Sequence, residues 1–338
     1  PGNIQTIIKK LASTEFAGRV SKTEGAQKAA DFITNQFREA GLKLMTGAAP
    51  NVAGLLEGKE RKDEFVIVSA HYDGVGFAGA MDNAAGVAVM IEVARLLAKN
   101  PPQRSVLFIA FDGGEQNNSG AKYYAERPPV PLDKTVAAIN LVGFGAGFGD
   151  QLPETLYVVG AEYSPQLAQA VTKHKRSEAY LAHLVMLGDD VTRFAGAEHL
   201  HFKLAQLPAI TITNGAHYLY HSKDDVPGRI NFPALEKHAV TLAMLTAEIA
   251  NTPGKIERLA QPSYDADEVS EWHRLLTALR ENVIKSAANN AGQAQIDDVL
   301  LELKRFKGRA VQEAKARQAV ILRAASICFY IVNPNIKK

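Results

Sequence analysis

The chain has 338 residues, of which 46% are hydrophobic and 22% are charged. The 38 basic and 36 acidic residues give a net charge of +2, so neither nucleic acid nor an acidic membrane surface is expected as a partner. No apolar run in the sequence approaches the roughly 20 residues that span a bilayer, and the single cysteine, Cys328, excludes an internal disulfide and a cysteine-rich zinc site.

Apolar residues at helical spacing and continuous apolar runs alternate over the first 250 residues. The helical patterns cover residues 23–40, 85–98, 165–175 and 233–250. The runs of strand length cover residues 65–68, 106–111, 136–142, 156–159 and 209–213. This alternation predicts an α/β fold in which a mixed, mostly parallel central sheet carries helices on both faces.

The last third of the chain has a different pattern. Residues 266–285 and 294–332 show helical periodicity, and residues 251–265 contain the prolines and glycine of a linker. The sequence therefore predicts an α/β domain over residues 1–252 and a C-terminal helical extension over residues 253–338. A helical hairpin packed on the domain is the favoured interpretation, because amphipathic helices mostly bury their apolar stripe within the chain. A dimerisation or partner surface is the alternative.

Imidazoles and carboxylates follow the ends of several predicted strands. These residues are His71, Asp73, Asp82, Asp112, Glu115, His217 and His221. Ligands of open α/β sheets bind at the carboxyl ends of the strands, and a mixture of histidine and carboxylate without cysteine suits zinc or a related divalent ion. Each residue alone also has an ordinary interpretation, such as a polar pair, a helix cap or a surface turn.

Short motifs recur in a consistent order over residues 10–250. They are Leu11-Ala12-Ser13, Ala17-Gly18-Arg19, His71-Tyr72-Asp73, Gly79–Gly86, Phe111-Asp112-Gly113, Lys122-Tyr123-Tyr124, Asn140-Leu141, Leu207–Ile210 and Tyr220–Asp224. In this order they resemble the co-catalytic zinc exopeptidases, a family that includes bacterial leucyl aminopeptidases, glutaminyl cyclases and the transferrin-receptor ectodomain. The helical extension lies outside the resemblance.

The resemblance implies a role for each polar motif. His71 would bind one metal, and Asp82 would bridge both metals. Glu115 and His221 would bind the other metal. Asp73 would orient His71 as a second-shell partner, as metal-binding histidines usually require.

Two positions depart from the family pattern. The third motif of the family ends in two glutamates, whereas this chain reads Phe111–Glu115 with Gly114 in place of the first. That glutamate is the general base of the family. A later motif reads Asn-Leu-Asp in the family, and Val142 replaces the aspartate that binds the first metal.

These departures affect the two metals unequally. Asp82, Glu115 and His221 remain for the second metal, and three protein ligands plus water form a catalytic type of zinc shell. Because the first metal keeps only His71 and a share of Asp82, about one zinc per chain is expected. Without the glutamate at position 114, peptide hydrolysis is expected to be impaired or altered.

Other residues are candidates for a substitute base. They are Asp112, Asp189, Asp190, His199 and His201. Asp112 lies two residues before Gly114 and would point to the same side of an extended segment, as would His199 and His201 if residues 199–203 were extended. Two alternatives therefore remain open, an active one-metal exopeptidase with a substitute base and a non-enzymatic module that binds peptides or proteins.

The resemblance also leads to expectations about partner and location. The N-terminus of a peptide or protein is the expected ligand, and oligomerisation would use the helical extension. Many bacterial relatives are exported, so we expect a periplasmic or extracellular protein, although no signal peptide is visible in this chain.

Overall fold

An eight-stranded sheet forms the centre of the computed structural model, which describes residues 2–184, 198–215, 217–263, 268–285, 290–306 and 314–332. The strands are β1 Lys43–Leu44, β2 Val52–Leu56, β3 Arg61–His71, β4 Arg104–Phe111, β5 Thr135–Leu141, β6 Thr155–Val159, β7 Tyr180–His183 and β8 Ala209–Thr213. They lie in the order β1-β2-β4-β3-β5-β8-β6-β7. The pairs β3–β4, β3–β5, β5–β8 and β6–β7 are parallel, and the other three are antiparallel. The predicted mixed, mostly parallel sheet is confirmed.

Helices surround this sheet. Those in the described residues are α1 Gly2–Leu11, α2 Glu24–Glu39, α3 Ala85–Ala98, α4 Ser119–Glu126, α5 Pro165–Lys173, α6 Glu198–Leu204, α7 Phe232–Asn251, α8 Glu268–Lys285, α9 Asn290–Phe306 and α10 Ala314–Val332. Side-chain oxygens of Thr23, Ser164 and Asn231 cap the starts of α2, α5 and α7 by accepting backbone N–H groups. The four helices predicted before residue 252 correspond to α2, α3, α5 and α7.

Both faces of the sheet are covered. Side chains alternate along β3, so Val66 and Val68 join the apolar cluster formed with α1, α2, α3, α5 and α7. Phe65 and Ile67 point the other way, into a cluster with α4 and α6. Ser69 and His71 continue this second row, which directs His71 to the face of the sheet that carries α6.

The C-terminal helices cover the far end of that face. Trp272 of α8 is fully buried and packs in one apolar cluster with Phe148, Tyr157 and residues of α9 and α10. The predicted helical extension is thus present, and the helical pattern over residues 294–332 corresponds to helices in the structure. The structure has α9 and α10 there, and residues 307–313 lie outside the described ranges. None of the described helices has the length and apolar character needed to cross a membrane.

Short elements escaped the sequence analysis. They are β1, β2, β7, α1, α4 and α6, which contain between 2 and 10 residues each. A periodic pattern becomes distinguishable only over windows of about 11–18 residues. Tertiary contacts, and not the local pattern, therefore decide the conformation of these segments.

His238 of α7 makes the fold sensitive to acid. The residue is fully buried with its ring 5.9 Å from that of Phe144, and burial lowers the pKa of His238 from 6.5 to about 3. Below pH 6.5 the imidazole of His238 therefore takes up a proton in the unfolded chain, whereas it stays neutral in the folded chain until the pH approaches 3. The free energy of unfolding consequently falls as the pH drops from 6.5 towards 3. When the pH is lowered from 7 to 5, we expect the free energy of unfolding of the wild-type protein to fall by about 2 kcal/mol more than that of His238→Phe. Urea unfolding at the two pH values measures this difference. Equal losses in both proteins would contradict this assignment.

Candidate metal centre

A buried arginine shapes the loop that separates His71 from Asp82. Arg19 is fully buried, and its guanidinium donates four hydrogen bonds to backbone carbonyls. The acceptors are the oxygens of Leu11 at 2.6 Å, Tyr72 at 2.7 Å, Ala78 at 2.8 Å and Gly79 at 2.9 Å. The segment that follows β3 is thereby held at both of its ends.

The turn after this loop brings Asp82 into position. Gly79 adopts a left-handed φ of 56°, and a Cβ there would lie 2.5 Å from the carbonyl oxygen of Asp82. Asp225 then accepts hydrogen bonds from the N–H groups of Met81 at 2.7 Å and Asp82 at 3.1 Å. Burial raises the pKa of Asp225 to about 6. The turn that carries Asp82 is thus fastened to the segment that follows His221.

Four predicted ligands converge on one point. Nε2 of His71 lies 3.3 Å from Oδ1 of Asp82, and Nε2 of His221 lies 3.3 Å from Oδ2 of the same carboxylate. Nε2 of His221 is also 2.9 Å from Oε2 of Glu115. Ligand atoms of His71, Asp82 and Glu115 lie within 4.8 Å of one another. Asp82 therefore stands between the two histidines with a separate oxygen towards each.

This donor set fits a divalent metal. Two imidazoles and two carboxylates are ligands that zinc accepts, and two donors on a tetrahedral zinc are separated by about 3.3 Å. The two imidazole–Asp82 separations of 3.3 Å and the His221–Glu115 separation of 2.9 Å are close to that spacing. Oδ2 of Asp82 is also buried without a hydrogen-bond partner among the described residues. Buried polar atoms of this kind require an explanation, and a cation is one.

The charges of the cluster favour a cation. Burial alone lowers the pKa of His71, but the charge of Glu198 and the contacts with Asp73 and Asp82 raise it well above its ordinary value. Burial likewise lowers the pKa of His221, and its carboxylate neighbours raise that value to about 9. The two histidines in turn hold the pKa of Asp82 below its ordinary range despite burial. The pocket is therefore strongly negative when both imidazoles are neutral.

Asp73 connects two of the ligands, in line with its predicted role beside His71. Its carboxylate oxygen lies 3.4 Å from Nδ1 of His71, and its carbonyl oxygen lies 3.3 Å from the same atom. The two carboxylate oxygens accept hydrogen bonds from the N–H groups of Gly114 at 2.7 Å and Glu115 at 3.1 Å. The buried Asp73 therefore positions both the His71 ring and the loop that presents Glu115.

His221 has an unusual backbone conformation. Its φ of 55° is left-handed, which is uncommon for a residue other than glycine, and such conformations concentrate at functional sites. Its ring stacks on Tyr220 with 3.7 Å between centroids and an angle of 19°. The preceding His217 bonds to Oδ1 of Asp150 at 3.0 Å and accepts the Leu219 N–H at 3.2 Å. His217 therefore shapes this turn and is not brought to the cluster.

Asp112 is not brought to the cluster either. The side chain of Phe111 faces α4 and α6, so the next residue points to the opposite side, where Asp112 accepts the Ser21 hydroxyl at 2.8 Å. The expectation that Asp112 and Gly114 share one side assumed an extended segment. Gly113 has a φ of 69° and interrupts that extension.

Position 114 has no space for a side chain. A Cβ on Gly114 would lie 2.5 Å from both Cβ and Cγ of His71. Val142 follows the end of β5 and is half-buried, and its N–H donates to Ile212 at 3.1 Å. Neither position offers a metal ligand or a base.

The remaining candidates for a substitute base are His199, His201, Asp189 and Asp190. Residues 199 and 201 belong to α6, so the extended segment assumed for His199 and His201 is wrong, and positions two apart on a helix do not share a face. Asp189 and Asp190 lie outside the described residues. Sequence reasoning missed Glu198, a buried carboxylate at the start of α6 that acts electrostatically on His71. A single glutamate before a short helix gave no pattern by which it could have been recognised.

A mixed α/β sheet with histidines and carboxylates converging near the ends of its central strands is an arrangement typical of metallohydrolases. Residues 51–246, more than half of the chain, match Peptidase family M28. The chain belongs to that family. The predicted resemblance to zinc exopeptidases is thereby confirmed.

Individual relatives agree with this assignment. The chain is 36% identical to Aminopeptidase YwaD of Bacillus subtilis over 107 residues, which cover 30% of this chain and 24% of that protein. Its fold is similar to that of BSAP, a zinc aminopeptidase from Bacillus subtilis (TM-score 0.62, 15% identity, 78% of this chain and 98% of that one). It is also similar to that of Porphyromonas gingivalis glutaminyl cyclase (TM-score 0.59, 22% identity, 73% and 97%). The chain spans less than half the length of three curated relatives that it matches.

Proposed function

We propose that this M28-family protein binds zinc through Asp82, Glu115 and His221 and recognises the N-terminal end of peptides at that site. Hydrolysis of the amide bond would be slow relative to family members with a glutamate base. The convergence of His71, Glu115 and His221 on the buried Asp82 carries the metal-binding half of this proposal.

The absence of a general base supports the second part of the proposal, which is slow hydrolysis. A bound zinc supplies a Lewis acid and lowers the pKa of a coordinated water. In this chain Gly114 offers no carboxylate to receive a proton, and Asp112 is hydrogen-bonded to Ser21 on the other side of its strand. Loss of a positioned general base typically lowers a rate by about 10²–10⁴-fold. A metal centre that binds substrate but turns it over slowly is the result.

The substrate class follows from the relatives and the surroundings of the site. The relatives named as aminopeptidases support a peptide with a free amino end. Val75 and Phe77, between His71 and Asp82 in the chain, expose apolar side chains, as does Tyr220 beside His221. We therefore expect an apolar N-terminal residue to be preferred, because it would cover this exposed apolar surface.

Zinc content is the direct test of the metal site. We expect purified protein dialysed against zinc to retain tightly bound metal, measured by plasma emission. Glu115→Gln and His221→Ala should each lower the affinity by more than the roughly 10–100-fold that loss of a second-shell partner costs. Glu126→Gln, at an exposed position on α4, is the matched control and should bind zinc as the wild type does. Unchanged zinc content in both site variants would refute the proposed ligands.

Measurement of the turnover rate tests the proposal that hydrolysis is slow. Aminoacyl-p-nitroanilides with leucine, phenylalanine and glycine are suitable substrates, with an active aminopeptidase of the family as reference. We expect rates lower by about 10²–10⁴-fold, in keeping with the loss of a base, and weak binding that favours the apolar residues. Rates equal to the reference would refute slow hydrolysis and favour the active enzyme with a substitute base.

A further inference from the structure

The start of α6 places the carboxylate of Glu198 in the interior of the protein. Glu198 is 1% exposed, and neither of its carboxylate oxygens has a hydrogen-bond partner within the part of the chain that the structure describes. Buried carboxylates in proteins are ordinarily paired, hydrogen-bonded or bound to a metal, because removing them from water is costly. Beside a candidate metal centre, a bound cation is one explanation for a buried carboxylate without a partner.

The sheet register locates this carboxylate beside His71. Ser69 and His71 point to the same face of β3, because side chains two apart on a strand share a side. Asn140 of β5 pairs with Ser69 and accepts its hydroxyl hydrogen bond at 3.1 Å. The amide nitrogen of Asn140 is buried without a partner among the described residues, and it lies close enough to lower the pKa of Glu198. Glu198 therefore stands against the row that ends in His71.

The electrostatic influence of Glu198 agrees with this position. Among the groups that raise the pKa of His71, Glu198 has the largest effect and precedes the direct contacts of Asp73 at 3.4 Å and Asp82 at 3.3 Å. Glu198 also contributes to the raised pKa of the Tyr220 hydroxyl, together with burial and the charges of Asp82 and Glu115. Since the Coulomb interaction decays with distance, these effects on His71 and Tyr220 agree with a position of Glu198 near the cluster.

We propose that Glu198 is a ligand of a second divalent cation, held together with His71 and Asp82 in place of the carboxylate that Val142 lacks. Asp82 is arranged to share its two oxygens, because Oδ1 lies towards His71 and Oδ2 towards His221, each at 3.3 Å. One imidazole and two carboxylates give three protein ligands, which suffice for an open zinc shell. This inference rests on the proposed function, since both cations share Asp82.

With Glu198 as a ligand, two zinc ions per chain are expected in place of the one expected from the sequence. That expectation counted only His71 and a share of Asp82 for the first metal, because Val142 ends β5 without a ligand. In the tertiary structure a carboxylate from α6 reaches the same side of the sheet. The loss of one ligand from β5 is thus offset by a ligand from a different element.

Zinc stoichiometry in matched variants tests the assignment. Plasma emission should find two zinc ions per wild-type chain and one in Glu198→Gln, which keeps the size of the side chain. Glu162→Gln is the control, because Glu162 is also fully buried but contacts His183 at 3.2 Å away from the cluster, and it should retain two.

Each other outcome has a definite meaning. Two ions in both wild type and Glu198→Gln would overturn the role of Glu198. One ion in the wild type would overturn the second site and leave the Asp82, Glu115 and His221 site intact, whereas none would overturn both proposals. If circular dichroism shows Glu198→Gln to be unfolded, anomalous diffraction at the zinc edge from wild-type crystals decides. A second peak bonded to the Glu198 carboxylate supports the proposal, and a peak elsewhere or no second peak overturns it.

Discussion

Replacement of Arg19 by alanine is expected to destabilise the metal-free protein by about 3–5 kcal/mol. The change leaves four backbone carbonyls without their donors, and each buried unsatisfied group costs about 1–3 kcal/mol before water relieves part of the loss. It also removes the buried cation that faces the carboxylates of Asp73, Asp82, Glu115 and Asp225. Urea unfolding with and without chelator measures the effect.

Zinc should reduce the destabilisation caused by Arg19→Ala. A bound cation restores part of the positive charge that the variant loses, and any ligand that binds only the folded state stabilises it. Arg38→Ala removes an exposed arginine of α2 and should change stability by no more than about 0.5 kcal/mol. If the two variants were equally stable, the proposed role of Arg19 in holding the loop would be wrong.

Restoration of a glutamate at position 114 is expected to fail. From the sequence alone, Gly114→Glu would return a general base and raise the rate by about 10²–10⁴-fold. In the structure the new Cβ would lie 2.5 Å from Cβ and Cγ of His71, so the loop or the ring must shift. Overpacking of this kind typically costs about 1–3 kcal/mol. A shifted ring would also lose the 3.3 Å contact with Asp82, so we expect lower stability, lower zinc content and no gain in turnover.

Gly114→Ala separates the steric effect from the chemical one. The alanine introduces the same Cβ without a carboxylate, so it should show most of the loss in stability and zinc. A crystal structure of Gly114→Glu would show whether His71 has moved. A large gain in turnover with His71 in its present place would mean that only the missing base limits catalysis.

The ligands of the candidate metal centre were accessible from the sequence because each follows a strand. His71 is the last residue of β3, Glu115 comes shortly after β4, and His221 lies in the segment that follows β8. Buried parallel strands appear as continuous apolar runs, and their carboxyl ends meet at one edge of the sheet. Local pattern and a general rule of topology therefore gave the set of candidates, and the resemblance to the zinc exopeptidases singled out these residues within it.

The pattern of the strands did not by itself predict which of the polar side chains that follow strands reach the candidate metal centre. Asp112 and His217 occupy similar positions after strands, yet one bonds to Ser21 and the other to Asp150. A left-handed glycine at position 113 separates Asp112 from Glu115, and the 217–221 turn separates His217 from His221. Single backbone angles decide where such side chains point, and hydrophobic periodicity carries no information about them.

The sequence by itself indicated the mixed parallel sheet, the residues that meet in the candidate metal centre and the absence of a glutamate at position 114. Only the tertiary structure decided that His71 fills the space beside Gly114, that Arg19 holds the intervening loop and that the buried Glu198 acts electrostatically on His71. The first group depends on residues close together in the chain and on their periodic burial. The second depends on contacts between distant segments, which arise when helices and loops pack against the same face of the sheet.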